Sequence, residues 1–479
     1  MAEAASRGSD DSLKFSTLLA YSLPAMPISA LGLPLVVHLP PFYASEMGLG
    51  LGLVGFLFMI ARFWDVFTDP VVGVLSDKFE SRWGRRRHWI VASVPILMIA
   101  AYMIFLPQGE VNGAYLMFWM FILYIGWTLL TISHLSWGAE LTPAYYERSR
   151  IHGAREIALI LGMVFVLTLP VFAHLVFPEG EEPHAVTLMG LFIIVLLPIT
   201  VAIAVTGVKE RKTPEPQSVP WKEAVKLLAK SKPLQIIIFV DLAGGVSGGI
   251  VASLFVFLAR DALQLGPASD LMLLVYFMSG VLFIPFIILL SKKLGKHKTV
   301  TFSALFTAAT LPLILLIPEG NVVFALFCWV VLGINMGAGP FLFRSIMADV
   351  ADHDAVQSGQ QRTGLFYSLL TMTNKIGHAV AIGVAYFALE VIGFQAGGEN
   401  TPEVISGLKA VYVWPAMIIS VVIGVLVWRF PLDEEKQLEN RRILEARALD
   451  VAEAAIAART AGNIDPPHAG EQPRGAPAD

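Results

Sequence analysis

The chain has 479 residues, 56% hydrophobic and only 15% charged, with a mean hydropathy of +0.67. Average soluble domains are about 45–50% apolar and about 25% charged, so this apolar excess suits neither a soluble core nor a soluble surface. The composition argues against a soluble enzyme, a secreted disulfide scaffold and a disordered chain, and a net charge of −4 gives no sign of nucleic-acid binding. The single cysteine, Cys328, allows no internal disulfide and no cysteine-based metal site.

A membrane-spanning helix takes about 20 residues, so a dozen would use about half the chain. Residues 1–14 are polar and mixed in charge, with no basic start leading directly into an apolar core. They read as a cytoplasmic tail rather than a signal peptide. Twelve apolar spans follow, at 15–43, 50–76, 89–106, 113–137, 155–178, 186–207, 234–259, 270–291, 299–317, 322–345, 363–392 and 406–430. Each is expected to be helical, because unpaired backbone polar groups are too costly in lipid; continuous apolar runs exclude a β-barrel.

Span 1 is rich in Pro and Leu and holds no carboxylate. Span 2 carries three ionisable residues, Arg62, Asp65 and Asp69, within ARFWDVFTDPVVG. A carboxylate at a helix centre costs about 2.5–3.5 kcal/mol, so such groups face a cavity or a partner. Asp65 and Asp69 are four residues apart and share one helix face, where they can coordinate a small cation or share a proton. The alternative for Asp65 is an ion pair with Arg62, and for Asp69 a tether from the helix to the basic loop. Thr68 can add a hydroxyl oxygen to a cation site or bond back to its own helix. Arg155 and Glu156 open span 5, where Arg155 is either a donor to substrate oxygens or an interface anchor. Asp241 in span 7 precedes GGVSGG, a pattern of broken or bending helices, and lies either in the cavity or near the cytoplasmic end. In span 11, Lys375 needs a counter-charge, for which Asp65 and Asp69 are the natural partners; the alternative is snorkelling to the cytoplasm. His378, His134 and His38 read as hydrogen-bonded packing residues, although His378 can titrate near neutral pH.

The loops after spans 2, 4, 6 and 8 are rich in Lys and Arg, and the opposite loops carry Glu instead, with Arg260 the main exception. This pattern places both termini in the cytoplasm with an even number of spans. The chain also resembles itself: Gly84 and Gly295 follow spans 2 and 8, and Glu140 and Asp349 end spans 4 and 10, each pair about 210 residues apart. The expected fold is an all-α membrane protein of twelve helices. Two six-helix bundles, 15–207 and 234–430, are joined by a linker at 208–233 that holds an amphipathic surface helix. A charged, partly disordered cytoplasmic tail occupies 431–479. Two parallel six-helix halves are the architecture of major facilitator transporters. The basic run after span 2 orients the chain. Arg85 and Arg86, with the carboxylates Asp77, Glu140 and Asp349, are candidates for holding a cytoplasmic gate closed.

Three stretches, RFWDVFTDPVVG…SRWGRRRHWI, AELTPAYYERSR followed by Arg155, and MADVADHD…QRTG…NKIG, resemble the glycoside–pentoside–hexuronide:cation symporters. This is the melibiose-permease-like branch of the major facilitator superfamily, and the resemblance runs from about residue 15 to 430. It implies a cation-coupled sugar symporter. Asp65 and Asp69 match the paired carboxylates of the cation site, which would hold Na+ in a sodium-coupled carrier. Thr128 matches a hydroxyl contributor on span 4, Lys375 the span-11 lysine, and Arg155 an arginine lining the sugar site. Two positions depart from the family pattern. Its span-4 aspartate falls at Thr131, and its span-1 sugar-binding aspartate falls near Ser29. Substrate contacts are expected from Arg155, Ser29, Trp127, Asn374 and His378.

The expected function is proton- or sodium-coupled symport of a small organic solute, a sugar or glycoside, by a monomer in the cell membrane. It needs no cofactor, no nucleic acid and no enzymatic chemistry. The alternatives are a lipid-like or amphiphilic substrate on the same fold, which the missing carboxylates leave open, and a non-transporting membrane sensor or scaffold.

Overall fold

A computed structural model of the chain describes residues 13–79, 81–142, 145–177, 184–210, 227–336, 338–359 and 362–461. Among them the regular structure is helical throughout. Span 1 is two helices, Phe15–Ser22 and Ala25–Val37. They are separated at Leu23–Pro24 because proline has no N–H to continue the ladder. Spans 2 to 7 form Leu51–Lys78, Arg87–Phe105, Gly113–Glu140, Tyr145–Val176, Ala185–Gly207 and Lys232–Phe257. Spans 8 and 9 form Ala268–Leu294 and Lys296–Thr310, the latter continued by a 3-10 turn at Leu311–Leu316. Span 10 is divided into Val322–Gly333 and Ala338–Ser358; spans 11 and 12 are Thr363–Val391 and Pro402–Trp428.

Ten helices among the described residues are long and apolar enough to cross a membrane. Spans 10 and 11 fall outside that count for opposite reasons. Val322–Gly333 is apolar but only 12 residues long. The 29-residue span 11 is long enough but is diluted by Thr371, Thr373, Asn374, Lys375 and His378. Large apolar side chains cover the outer faces, among them Phe165, Val195, Leu289, Phe327 and Val425, each at least half exposed. Such a belt belongs against lipid.

The helices of residues 15–207 pack mainly among themselves, as do those of 232–428. Across the two groups, span 2 packs on span 11, span 5 on span 8, and span 1 on span 7. These contacts exchange under the repeat seen in the sequence, span 2 for 8 and span 5 for 11. Spans 1 and 7 both end in a π-turn, at Phe42–Glu46 and Leu258–Ala262.

The GGVSGG stretch is not a break: span 7 runs through it as one helix. Its glycines are used for close packing. A Cβ on Gly377 would stand 2.6 Å from the Leu242 carbonyl and 3.0 Å from Gly245 Cα. The small residues let the backbones of spans 7 and 11 touch, as in membrane helix pairs generally.

Beyond span 12 a further helix, Glu434–Ala461, lies against the end of Ala338–Ser358, with Arg447 donating to the Ala355 and Val356 carbonyls. The linker helix expected within 208–233 falls largely on residues outside the described set.

Candidate cation site and cavity

Span 11 brings its Lys375 onto the carboxylate face of span 2. Lys375 Nζ lies 2.5 Å from Asp69 Oδ2 and 2.8 Å from Asp65 Oδ2. Asp65 is fully buried. Its Oδ1 accepts from Thr128 Oγ1 at 3.1 Å, which ties span 4 into the cluster. Arg62 is the more distant cation, 4.0 Å from Asp65 Oδ2, with its guanidinium over the Tyr124 ring. Lys375, rather than Arg62, is therefore the main counter-charge. Asp69 Oδ1 is buried without a hydrogen-bond partner. Two carboxylates, one with a free lone pair, and a threonine hydroxyl form an oxygen set that suits a small hard cation or a proton.

The other predicted members of this set are less direct. Thr68 Oγ1 donates to its own helix at Asp65 O, 3.2 Å away, and stands 3.4 Å from Thr128 Oγ1. Thr131 donates to the Trp127 carbonyl at 2.8 Å and does not reach the carboxylates.

A cavity of about 480 Å³ lies beside this cluster, mainly between spans 7 to 12, with Gly32, Leu33, Val36 and Val37 of span 1 closing it. Asn374 and His378 line it. They are one turn apart on span 11, while Lys375 is displaced by about 100° of helix and faces span 2. Asp241 is also on the wall and accepts from Thr373 Oγ1 at 3.0 Å. One turn and a half of span 11 thus touches both the carboxylate pair and the cavity.

Trp127 stands just outside the cavity: a Cβ on Gly32 would be 3.0 Å from its ring. Ser29 bonds back to Met26 O at 3.0 Å and packs against Gly162 of span 5. Arg155 is largely buried, near Glu156 at 3.4 Å, with its Nε unpartnered; it does not line the cavity. His134 stacks on Tyr21 and meets the Tyr21 carbonyl at 2.7 Å, a packing role.

The residues expected at a cytoplasmic gate form contacts within each helix group. Glu140 Oε1 accepts from Arg85 at 2.8 Å and from Arg86 at 2.7 Å. Glu210 accepts from the backbone N–H groups of Arg85 and Arg86. Lys296 Nζ lies 2.7 Å from Asp349 Oδ2, and Gln437 of the C-terminal helix also donates to Asp349. The two sets repeat each other: Gly84 and Gly295, both at positive φ, each precede the basic residue that meets the next carboxylate. The Asp77 side chain lies outside the described set.

A second contact between the groups was not visible in the sequence. Buried Asp270 of span 8 receives His38 of span 1 at 3.3 Å, Arg260 at 3.7 Å and His174 of span 5 at 3.9 Å. It sits at the end of the bundle opposite the Lys- and Arg-rich loops. The stray charge of Arg260 in the loop pattern was its one signal.

Apolar helices in two mutually packed groups, with a carboxylate–lysine cluster buried where span 2 meets span 11, define a multi-pass membrane carrier. Residues 20–434 match the family described as MFS/sugar transport protein, and the chain belongs to that family. It is a transporter, not an enzyme. It is 21% identical to the glucuronide carrier protein homolog of Escherichia coli (strain K12), over 91% of this chain and 98% of that one. It is 24% identical to the sodium-dependent lysophosphatidylcholine symporter 1 of Homo sapiens, over 85% of this chain and 81% of that one. A crystal structure of a mutant of the nucleoside transporter NupG superposes with a TM-score of 0.67 at 15% identity. It covers 87% of this chain and all of that one, and shares the fold.

Proposed function

We propose that the chain is a proton- or sodium-coupled symporter of a small organic solute, with twelve spans, both termini in the cytoplasm and a place in the plasma membrane. The observation that carries this reading is the position of Lys375, bridging Asp65 and Asp69 while its neighbours Asn374 and His378 border the cavity. A cation arriving at Asp65 and Asp69 takes the place of the Lys375 ammonium. Spans 2 and 11 are then no longer pinned by that bridge, and the carboxylate pair stays compensated by the cation as the helices move. The two helix groups can rock about the cavity, giving alternating access.

Of the two substrate classes open from the sequence, the cavity favours the amphiphile. Its walls are mostly apolar, built from Leu, Val, Phe, Trp, Tyr and Met, with a polar minority that includes Asp241, Ser303, Asn335, Asn374 and His378. A free sugar carries hydroxyls on every side, so those turned to the apolar part of the wall would lose water without a partner, whereas an amphiphile matches both parts. The similarity to a glucuronide carrier homolog and to a lysophosphatidylcholine symporter supports symport and leaves both classes represented among relatives.

The test is uptake into proteoliposomes under an imposed sodium or proton gradient, with an alkyl glycoside and a lysophospholipid as solutes. Asp69→Asn should abolish concentrative uptake and spare downhill exchange. Concentrative uptake that survives this substitution removes the coupling assignment.

A further inference from the structure

We propose that Asp241 makes the cavity a site for a cationic head group, so that the solute is an amphiphile ending in an amine or quaternary ammonium. The inference rests on the symporter reading and names the substrate of that carrier.

Asp241, Gly244, Gly248, Val251 and Phe255 all line the cavity, at spacings of three and four residues along span 7. They form one helix stripe, charged at one end, bare of side chains in the middle and aromatic at the other. A Cβ on Gly244 would meet the Phe343 ring at 3.3 Å, so an aromatic face lies one turn from the carboxylate. Tyr276, Phe277, Trp329 and Tyr412 complete the aromatic wall.

Charge makes the wall selective. Asp241 is only 4% exposed, and its hydrogen bonds come from neutral side chains, Thr373 and Asn374. Among the described residues, no Lys or Arg lines the cavity and none pairs with Asp241; Arg344 acts on it only at longer range. A buried carboxylate without a counter-charge is costly, and a ligand cation supplies the missing charge. Aromatic faces attract the same cation. Anionic solutes such as hexuronides meet repulsion and find no basic donor. His378 Nδ1 and Ser303 Oγ, both buried and unpartnered at the cavity wall, offer hydrogen bonds to the rest of the head group. The volume of about 480 Å³ suits a small molecule.

The experiment is titration calorimetry on the full chain in lipid nanodiscs, with three probes sharing a hexyl tail: hexyltrimethylammonium, hexyl glucoside and hexyl glucuronide. The ammonium probe should bind and the glucuronide should not. Asp241→Asn should weaken the ammonium probe by about tenfold or more while changing the glucoside little, as loss of a charge-assisted contact does. Gly248→Leu provides a second variant: its Cβ meets only His378 Cε1, at 3.9 Å, so the longer side chain extends into the cavity and should weaken every probe that binds. Ammonium affinity that stays within about twofold in Asp241→Asn, or glucuronide binding tighter than the ammonium probe, overturns the proposal. Sodium and pH responses in Asp69→Asn are read separately. If they match the wild type while Asp241→Asn behaves as expected, the coupling assignment fails and the cavity assignment stands. The reverse pattern removes the cavity assignment alone.

Discussion

Lys375 Nζ lies 2.5 Å from Asp69 Oδ2, joining the second helix of one half to the fifth of the other at a place where lipid would tolerate neither charge alone. In the proposed mechanism the ammonium fills the position that a coupling cation would take. Its removal should therefore strengthen cation binding rather than weaken it. In Lys375→Ala, the sodium concentration needed for half-maximal thermal stabilisation should fall by about tenfold, the effect of losing one close competing charge. A proton-coupled carrier would instead show the change as a pH shift with no sodium response. An unchanged response to both ions would show that Lys375 does not compete at this site.

Asp270 gathers His38, His174 and Arg260 from three spans and closes the bundle at the end opposite the basic loops. A buried carboxylate shared by groups on both halves holds that end shut, and removing it shifts the population toward the state open there. Asp270→Asn should raise thiol labelling of a Val37→Cys reporter several-fold in a Cys328→Ser background. Val37 is 1% exposed and lines the inner cavity, so its labelling reports opening. Labelling equal to that of the unsubstituted reporter protein would show that the cluster does not hold the closure.

Asp65, Asp69 and Lys375 were legible as a set because charges are rare inside apolar runs and each must be compensated. Asp270 was not. It falls at a helix start, where a carboxylate is ordinary, and its partner His38 is 232 residues away. The cavity was not legible either. Leu, Phe and Val face lipid and cavity alike, so hydropathy cannot separate the two, and only the helix stripe from Asp241 to Phe255 marks the inner side. The glycines of span 7 misled for a related reason. Their weak helix propensity suggests a break, but the packing they allow against span 11 outweighs it.

That packing can be tested directly. At Gly377 an added methyl meets backbone atoms on span 7, which cannot turn aside as a side chain can. Gly377→Ala should lower stability by about 1–3 kcal/mol, the usual range for overpacking. Gly364→Ala on the same helix, where nothing stands within 4 Å, should be neutral or slightly stabilising. Thermal unfolding of the two variants in the same detergent separates them. Equal melting temperatures would mean that spans 7 and 11 can spread apart at little cost.

The matched ion pairs at the basic ends differ in burial, and this sets their worth. Arg86 is 2% exposed and has Glu140 as its carboxylate partner. Glu140→Gln removes a charged partner from a buried guanidinium; breaking a buried pair costs about 3–5 kcal/mol, and less here because Glu140 is partly open to water and Arg86 keeps its bond to Ser76. Lys296, the counterpart at Asp349, is 30% exposed in its side chain. Burial pushes the Asp349 carboxyl above the usual carboxylate range, and the Lys296 ammonium draws it back only in part. A raised folded-state value means that the folded protein holds this proton more tightly than the unfolded chain. The contribution is then fully present below the unfolded value and is lost as pH rises through the folded one. At neutral pH the ionised pair is consequently no net support. Asp349→Asn should cost much less than Glu140→Gln at pH 7, and should remove part of the stabilisation that mild acid gives the wild type. Melting temperatures across mildly acidic to neutral pH check both statements. A larger loss for Asp349→Asn than for Glu140→Gln at pH 7 would reverse the ranking by burial.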